Sequence, residues 1–593
     1  MRLINIKAFF EREETMHEGR RVDRQCKVLE FRDDKTTAYA ILSHRWIEDT
    51  EVDYEEMVGL AKMDAEERDE IRQRLGYWKI RDACQQAKKD GYEWVWVDTC
   101  CIDKRSSAEL SEAINSMYRW YENSRICYVY LHDVPDPSFP TQSDESRYPN
   151  YNGWPEWFSR GWTLQEMIAP RNVQFFNEDW SLIGDKARLS ATLEGITRVP
   201  KHILARGLAG NRPCVAQIMS WAAKRTTTRV EDRAYSLMGL LDVNMPMLYG
   251  EGKKAFHRLQ MEIIRSSNDQ SIFIWGGHGE STGSILADDP KFFENCSQME
   301  LMDHAEFIEV FKTYIPAEEL PLIKEDRFGT FPITNRGIHI WMLLDPYHNS
   351  DSVFKGILPC RHRPQAPPVS VNLALWNSNY YRYSMPMSSS LRTMSNLQFR
   401  QIYLRYQDTL PSVTFEIDDS ALVENGFAHR VSYPPVYKGN TGSMLTVTNT
   451  FPLCARLYSN GQSDSRLAVT FGQCFGHSWV HPISCPDRVS KLYEKEMVKR
   501  PERARRMADV PSRDDRFGRI WVNYIRLPGW IVQTSSVLWE RSRIGVRIEA
   551  FRDTGINISL NEWQTLDVQV GGSRCMSIMT TIIHRESMIP FVI

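Results

Sequence analysis

Between residues 38 and 185 the chain repeats one pattern: a short apolar run, a polar turn, then a longer stretch with helical spacing. This alternation restricts the fold more than any other feature. Parallel strands cannot be joined by tight turns and need a crossover, usually a helix, so the pattern points to a parallel sheet covered by helices. "AYAILS" (38–43) reads as a buried strand. "YWKIRDACQQAKKDG" (77–91) comes next, with Ile80, Ala83, Cys84 and Ala87 at helical spacing and Gly91 as its stop signal. "EWVWVD" (93–98) is the second strand. "SSAE" (106–109) has capping-box form and opens a helix with Leu110, Ile114, Met117 and Tyr121 on one stripe. "RICYVYL" (125–131) is the third strand, a Pro- and Ser-rich loop (133–155) leads into "WFSRGWTLQEMIAP", and "NVQFF" (172–176) is the fourth. The simplest fold for β-α-β-α-β-α-β is a doubly wound parallel sheet.

Beyond this region the texture changes twice. Residues 186–285 are expected to be a helical extension. In it "TRVE" (228–231) reads as a capping box ahead of Ala234, Leu237, Met238 and Leu241, and Ala255, Leu259 and Ile263 form a second inward stripe. Residues 286–593 are expected to form a β-rich C-terminal domain, a sandwich or partly open barrel. "GIHIWMLL", "VSVNLALW", "RQIYLRY", "RLAVTFG" and "IGVRIEAF" are its clearest strands, broken by Pro, Gly and Asn. The mixed-sign run from Glu494 to Arg519 reads as a solvated loop.

Composition matters mainly for what it excludes. A net charge of −3 gives no concentrated positive field, so no nucleic-acid partner is expected. No run approaches the ~20 apolar residues of a membrane span, and the N-terminus lacks the apolar core of a signal peptide. The 12 cysteines include no C-x-x-C pair and fit reduced thiols better than a disulfide framework. The expected setting is the cytoplasm.

Ligands of open α/β sheets bind beyond the carboxyl ends of the strands. Three clusters are expected there: "SHRWIED" (43–49), "DTCCID" (98–103) and "SRGWTLQE" (159–166). They nominate Ser43, Arg45, Trp46, Asp98, Asp103, Trp162 and Glu166, the last two placed on one face by their spacing of four. Each has a plainer alternative. Glu166 could be a solvated helix charge and Trp162 a core residue. Asp98 and Asp103 could cap the following turn and helix. Arg45 could pair with Asp49, and Glu231 could serve only in its capping box. Cys474, His477, His481 and Cys485 have a spacing that could suit zinc. However, the stretch alternates like a strand and lacks the glutamate of H-E-x-x-H, so no metal is expected. "YGEGKKAF" (249–256) does not satisfy the phosphate-loop pattern.

"YAILSHRW", "GYEWVWVDTCCID" and "RGWTLQE" resemble the three signature segments of the fungal heterokaryon incompatibility (HET) domain. The stretch from Ser220 to Ile263 resembles the segment C-terminal to them in many such proteins. Lys104 stands where a glutamine is frequent, and Arg45 precedes Trp46. HET domains are in turn similar to Toll/interleukin-receptor (TIR) domains. On that likeness Arg45 and Asp49 match the opening segment, while Trp162 and Glu166 match the invariant tryptophan and the catalytic glutamate.

The resemblance implies a TIR-like, flavodoxin-like sheet and a role in non-self recognition and programmed cell death. It also implies self-association through the HET domain, with Glu166 serving cleavage of NAD, as substrate rather than cofactor, at the nicotinamide–ribose bond. Ser43, Arg45, Trp46, Asp98, Asp103 and Trp162 would line the substrate. Such a bond breaks through an oxocarbenium-like state that a carboxylate stabilises. A non-catalytic module acting by assembly and partner recruitment is the alternative. The C-terminal domain would engage a protein partner of unknown kind.

Overall fold

The computed structural model describes residues 1–18, 27–208, 210, 212–276, 283–315, 329–346, 353–376, 378–382, 397–406, 412–433, 444–448, 453–461, 465–474, 477–484, 520–527, 530–540 and 543–552. Two compact units divide the chain. The first comprises Met1–Gly276, Leu286–Phe307 and Pro359–Val369, and the second takes the remaining residues.

The first unit is built on a seven-stranded sheet: β1 (Arg2–Asn5), β2 (Leu29–Phe31), β3 (Ala40–His44), β4 (Trp94–Trp96), β5 (Ile126–Tyr130), β6 (Val173–Phe176) and β7 (Leu182–Asp185). Their order is β2-β1-β4-β3-β5-β6-β7. The four strands legible in the sequence, β3 to β6, form a parallel core in the order β4-β3-β5-β6. The all-parallel expectation needs correction at both edges. β1 runs antiparallel to β4 and β2, and β7 runs antiparallel to β6. These edge strands are short, at 4, 3 and 4 residues for β1, β2 and β7, too few to show a period. Leu182 on β7 is moreover 56% exposed, so the outer strand carries no burial signal.

The helices arise where local chemistry supports them. The Leu75–Lys89 helix buries Ile80, Ala83, Cys84 and Ala87. It ends in a Schellman motif: Gly91 takes φ +83°, its N–H reaches Lys88 O, and Tyr92 N–H reaches Ala87 O. The Ser107–Asn123 helix is capped by Ser106, whose hydroxyl accepts from Glu109 N. The other half of the expected box is absent because the Glu109 carboxylate takes Asp103 N–H and Arg2 instead. The predicted 228–231 box is likewise corrected. A short helix begins at Asp232 with no side-chain cap, and Glu231 Oε1 accepts from Gly250 N and Gly252 N, pinning a distant turn.

Ala255, Leu259 and Ile263 are buried on the Lys254–Ser266 helix. The Pro290–Cys296 3₁₀ turn also belongs to the first unit. The second unit holds a five-stranded closed barrel formed by Ile338–Pro346, Val353–Ile357, Ser370–Trp376, Asn379–Arg382 and Gln398–Leu404. It also holds a five-stranded and a four-stranded sheet that share a core including Phe415, Phe427, Tyr458, Phe471, Ile544 and Ile548. All five C-terminal segments read as strands are strands. The charged run 494–519 and Cys485 lie outside the described residues, as do the side chains of Cys474, His477 and His481. Among the described residues no helix is long and apolar enough to cross a membrane. Cys84, Cys100, Cys101, Cys127, Cys214, Cys296 and Cys360 are buried free thiols.

Candidate functional site

In the order β4-β3-β5-β6 the chain leaves β3 to one side first and then crosses to the other, so β3 and β5 flank a topological switch point. That is where the loops at the carboxyl ends separate and leave a crevice. β3 is buried along its whole length and ends there in Ser43 and His44. Two polar networks are built around these two residues.

The first network joins Ser43 to Glu166, 123 residues away. Trp157 Nε1 donates to Ser43 Oγ at 2.9 Å, and Ser43 Oγ donates to Glu166 Oε2 at 2.5 Å. The Tyr121 phenol also lies against the carboxyl, and its own proton goes to Leu42 O at 3.1 Å. Burial, at 5% exposure, and the Asp98 charge nearby push the Glu166 carboxyl up to about 8, against the bonds from Ser43 and Tyr121, which favour its charged form. Arg225, from the helical extension, opposes this shift from a distance. Its Nη1 is held by Arg160 O and Thr163 Oγ1, both at 2.8 Å, and its Nη2 is buried without a hydrogen-bond partner. Burial lowers this guanidinium to about 9, against the pull of Glu166.

The neutral carboxyl has a measurable consequence. An unfolded chain releases this proton near the ordinary 4.5, whereas the folded chain keeps it until about 8. The stabilising contribution is thus complete below 4.5 and is lost as pH rises through 8, by ~1.4 kcal/mol per pH unit across that window. Urea unfolding of the first unit, followed from acid to mildly alkaline pH, should show this slope in the parent and not in Glu166→Gln. Equal slopes in both proteins would mean that Glu166 is ionised in the fold.

The second network runs from His44 toward solvent. His44 Nε2 meets Asp98 Oδ1 at 3.0 Å, and Trp46 Nε1 donates to Asp98 Oδ2 at 2.8 Å. Burial works against ionisation of Asp98, but the bond to His44, the nearby charges of His44 and Lys104, and the bond from Trp46 hold its carboxyl below the usual range. Lys104 Nζ stands 3.7 Å from the centroid of the Trp46 ring. On the inner side His44 Nδ1 faces Glu51 Oε2 at 3.8 Å. Glu51 is paired with the buried Lys79, which also donates to Arg45 O at 3.1 Å. Burial lowers the Lys79 ammonium, with the Glu51 charge resisting.

Of the residues nominated from sequence, Ser43, Trp46, Asp98 and Glu166 fall in these two networks. Arg45 lies beside them and forms an ion pair with Glu156, not with Asp49, whose backbone takes φ +60°. Asp103 binds Arg105 through its N–H and side chain and so shapes the turn it sits in. Trp162 heads the Thr163–Ile168 helix, and its side chain bonds to Asp232 of the helical extension, which also accepts from Tyr249 at 3.0 Å. The aromatic neighbours of the Glu166 network are Trp157 and Tyr121. Sequence reasoning passed over His44, Lys79, Tyr121, Trp157 and Arg225. The one available signal was Lys79, a lysine on an otherwise apolar helical stripe.

The arrangement can hold one carboxyl neutral and another ionised side by side, as division of acid–base roles requires. Residues 39–153 match the family model described as "Heterokaryon incompatibility protein (HET)". This segment contains Ser43, His44, Trp46 and Asp98 and ends before Trp157 and Glu166. The chain is similar to "Vegetative incompatibility protein HET-E-1" of Podospora anserina, with 45% identity over 231 residues. The match takes in 39% of this chain and 16% of that relative, so the chain spans under a fifth of the relative's length.

Proposed function

We propose, on the premise that residues 39–153 form a heterokaryon incompatibility (HET) domain, that the chain acts in heterokaryon incompatibility and drives programmed cell death through that domain. The mechanism we favour is TIR-like cleavage of NAD at the nicotinamide–ribose bond, in the cytoplasm. One observation carries this reading. Ser43, Asp98 and Glu166, from three separate segments, converge at the switch point of the parallel strands. In this state Glu166 is covered and neutral, which is a resting form. Turnover needs the Trp157–Ser43 cover lifted and the carboxyl ionised, so that its charge can stabilise the oxocarbenium-like transition state. Self-association through the domain would supply that change, and the C-terminal unit would sense a protein partner and restrain it.

The burial of Glu166 favours a second reading, in which the domain kills by assembly and recruitment without chemistry and Glu166 serves only packing. Nicotinamide release separates the two. Dilute monomer is expected to be nearly inert, and fusion to a constitutive oligomeriser should raise release by at least ~10-fold through effective concentration alone. A monomer fully active at nanomolar concentration would overturn the assembly requirement. An oligomer that kills cells while NAD stays intact would favour the second reading.

A further inference from the structure

Three tryptophans near these strand-end segments differ in exposure: Trp157 is buried, Trp162 is half-buried, and Trp46 is 45% exposed. A single exposed aromatic ring ordinarily needs no explanation. Trp46 does, because a network that reaches into the protein holds it from two sides. Its indole N–H is tied to Asp98 at 2.8 Å, and Lys104 stands against one face of the ring. Asp98 is in turn fixed by His44, whose side chain is only 1% exposed, and His44 faces Glu51, which is paired with the fully buried Lys79. Withdrawing that many charged groups from water is costly. What the arrangement achieves at its outer end is an immobilised indole with much of its surface open to solvent. A rigid exposed aromatic ring is a stacking surface for other flat rings, and it costs a ligand little ordering entropy.

We propose that Trp46 is the stacking platform of a binding subsite for a planar heterocycle, the pyridine or purine ring of a nucleotide. Asp98 and Lys104 act as positioning residues that hold the indole. The subsite rests on the ligand-site reading above, but it is separate from Glu166 and does not require that any bond be cleaved. Stacking on one indole contributes ~1–3 kcal/mol, or roughly 5- to 150-fold in affinity.

The test titrates the full chain with nicotinamide mononucleotide and, separately, with adenosine monophosphate, following heat and tryptophan fluorescence. At least one probe should bind the parent and quench its fluorescence. Trp46→Ala should weaken that binding by ~10-fold or more. Glu178→Gln, exposed and outside both networks, should bind like the parent, and the probe that binds identifies the ring. Should Trp46→Ala unfold, Trp46→Phe decides the matter: the quench seen in the parent should vanish. The proposal is overturned if neither probe binds the parent at about 10 mM, a ceiling for weak ligands. It is equally overturned if Trp46→Ala binds within about 2-fold of the parent, a difference too small for a lost stacking contact, or if the quench persists in Trp46→Phe. Trp46-dependent binding without nicotinamide release would defeat the cleavage reading and leave the platform standing.

Discussion

Glu166→Gln is expected to abolish nicotinamide release and cell killing together, by ~100-fold or more, while leaving the fold intact. The amide is close in shape to the neutral carboxyl that the fold holds. Its oxygen can accept from Ser43 Oγ as the carboxyl does, so the buried Trp157–Ser43 chain keeps its partner. What it cannot do is ionise when the site opens. Glu178→Gln is the control, an exposed glutamate outside both networks, and should change neither readout. Thermal unfolding and killing must be measured on the same preparations. If Glu166→Gln kills as well as the parent, the carboxyl is a packing group and assembly without chemistry becomes the better account.

A chain ending at Gly276 is expected to lose the first unit's fold, whereas one ending at Val369, where the last segment of that unit ends, should keep it and retain killing. All three strand-end clusters precede residue 276, so sequence position alone would predict that the shorter chain suffices. Contacts within the unit argue otherwise. Gln260 is completely buried, and its side-chain amide both donates to Ala287 O and accepts from Ala287 N. Cutting at 276 strands the Gln260 side-chain carbonyl, at ~1–3 kcal/mol, while Nε2 keeps only its bond to Phe256 O. Phe293 and Met299 are buried in the same unit, and losing side chains of that size from a core costs about 2–5 kcal/mol apiece. Arg233 and His257 also lose Asp289 and Asp288. Together these losses rival the ~5–15 kcal/mol by which a typical domain is stable. Circular dichroism and solubility of the two chains would decide. A well-folded, lethal 1–276 chain would show that the 286–307 segment adds little.

These two expectations draw on different sources. The strand and helix pattern of residues 38–176 was legible in the sequence because periodicity reports which face of a segment is buried, and that needs only local information. Ile80, Ala83, Cys84 and Ala87 show their stripe without knowledge of any partner. The strand ends follow from the pattern, so Ser43, Asp98 and Glu166 could be named as neighbours in advance. Which atoms meet could not be read, because each bond spans a crossover. Ser43 reaches Glu166 across 123 residues and Trp157 across 114, and His44 reaches Asp98 across 54. Only the tertiary structure decided that Trp157 and Tyr121, not Trp162, enclose the carboxyl network, and that Arg45 turns to Glu156 and not to Asp49. Glu231 looked like a cap because local spacing allows one, but its carboxylate found two backbone N–H groups at Gly250 and Gly252, a stronger set of partners that the spacing does not reveal. The protonation state of Glu166 lies furthest from the sequence. It depends on how completely water is excluded and on which charges and donors face the carboxyl, and both are properties of the packed site as a whole.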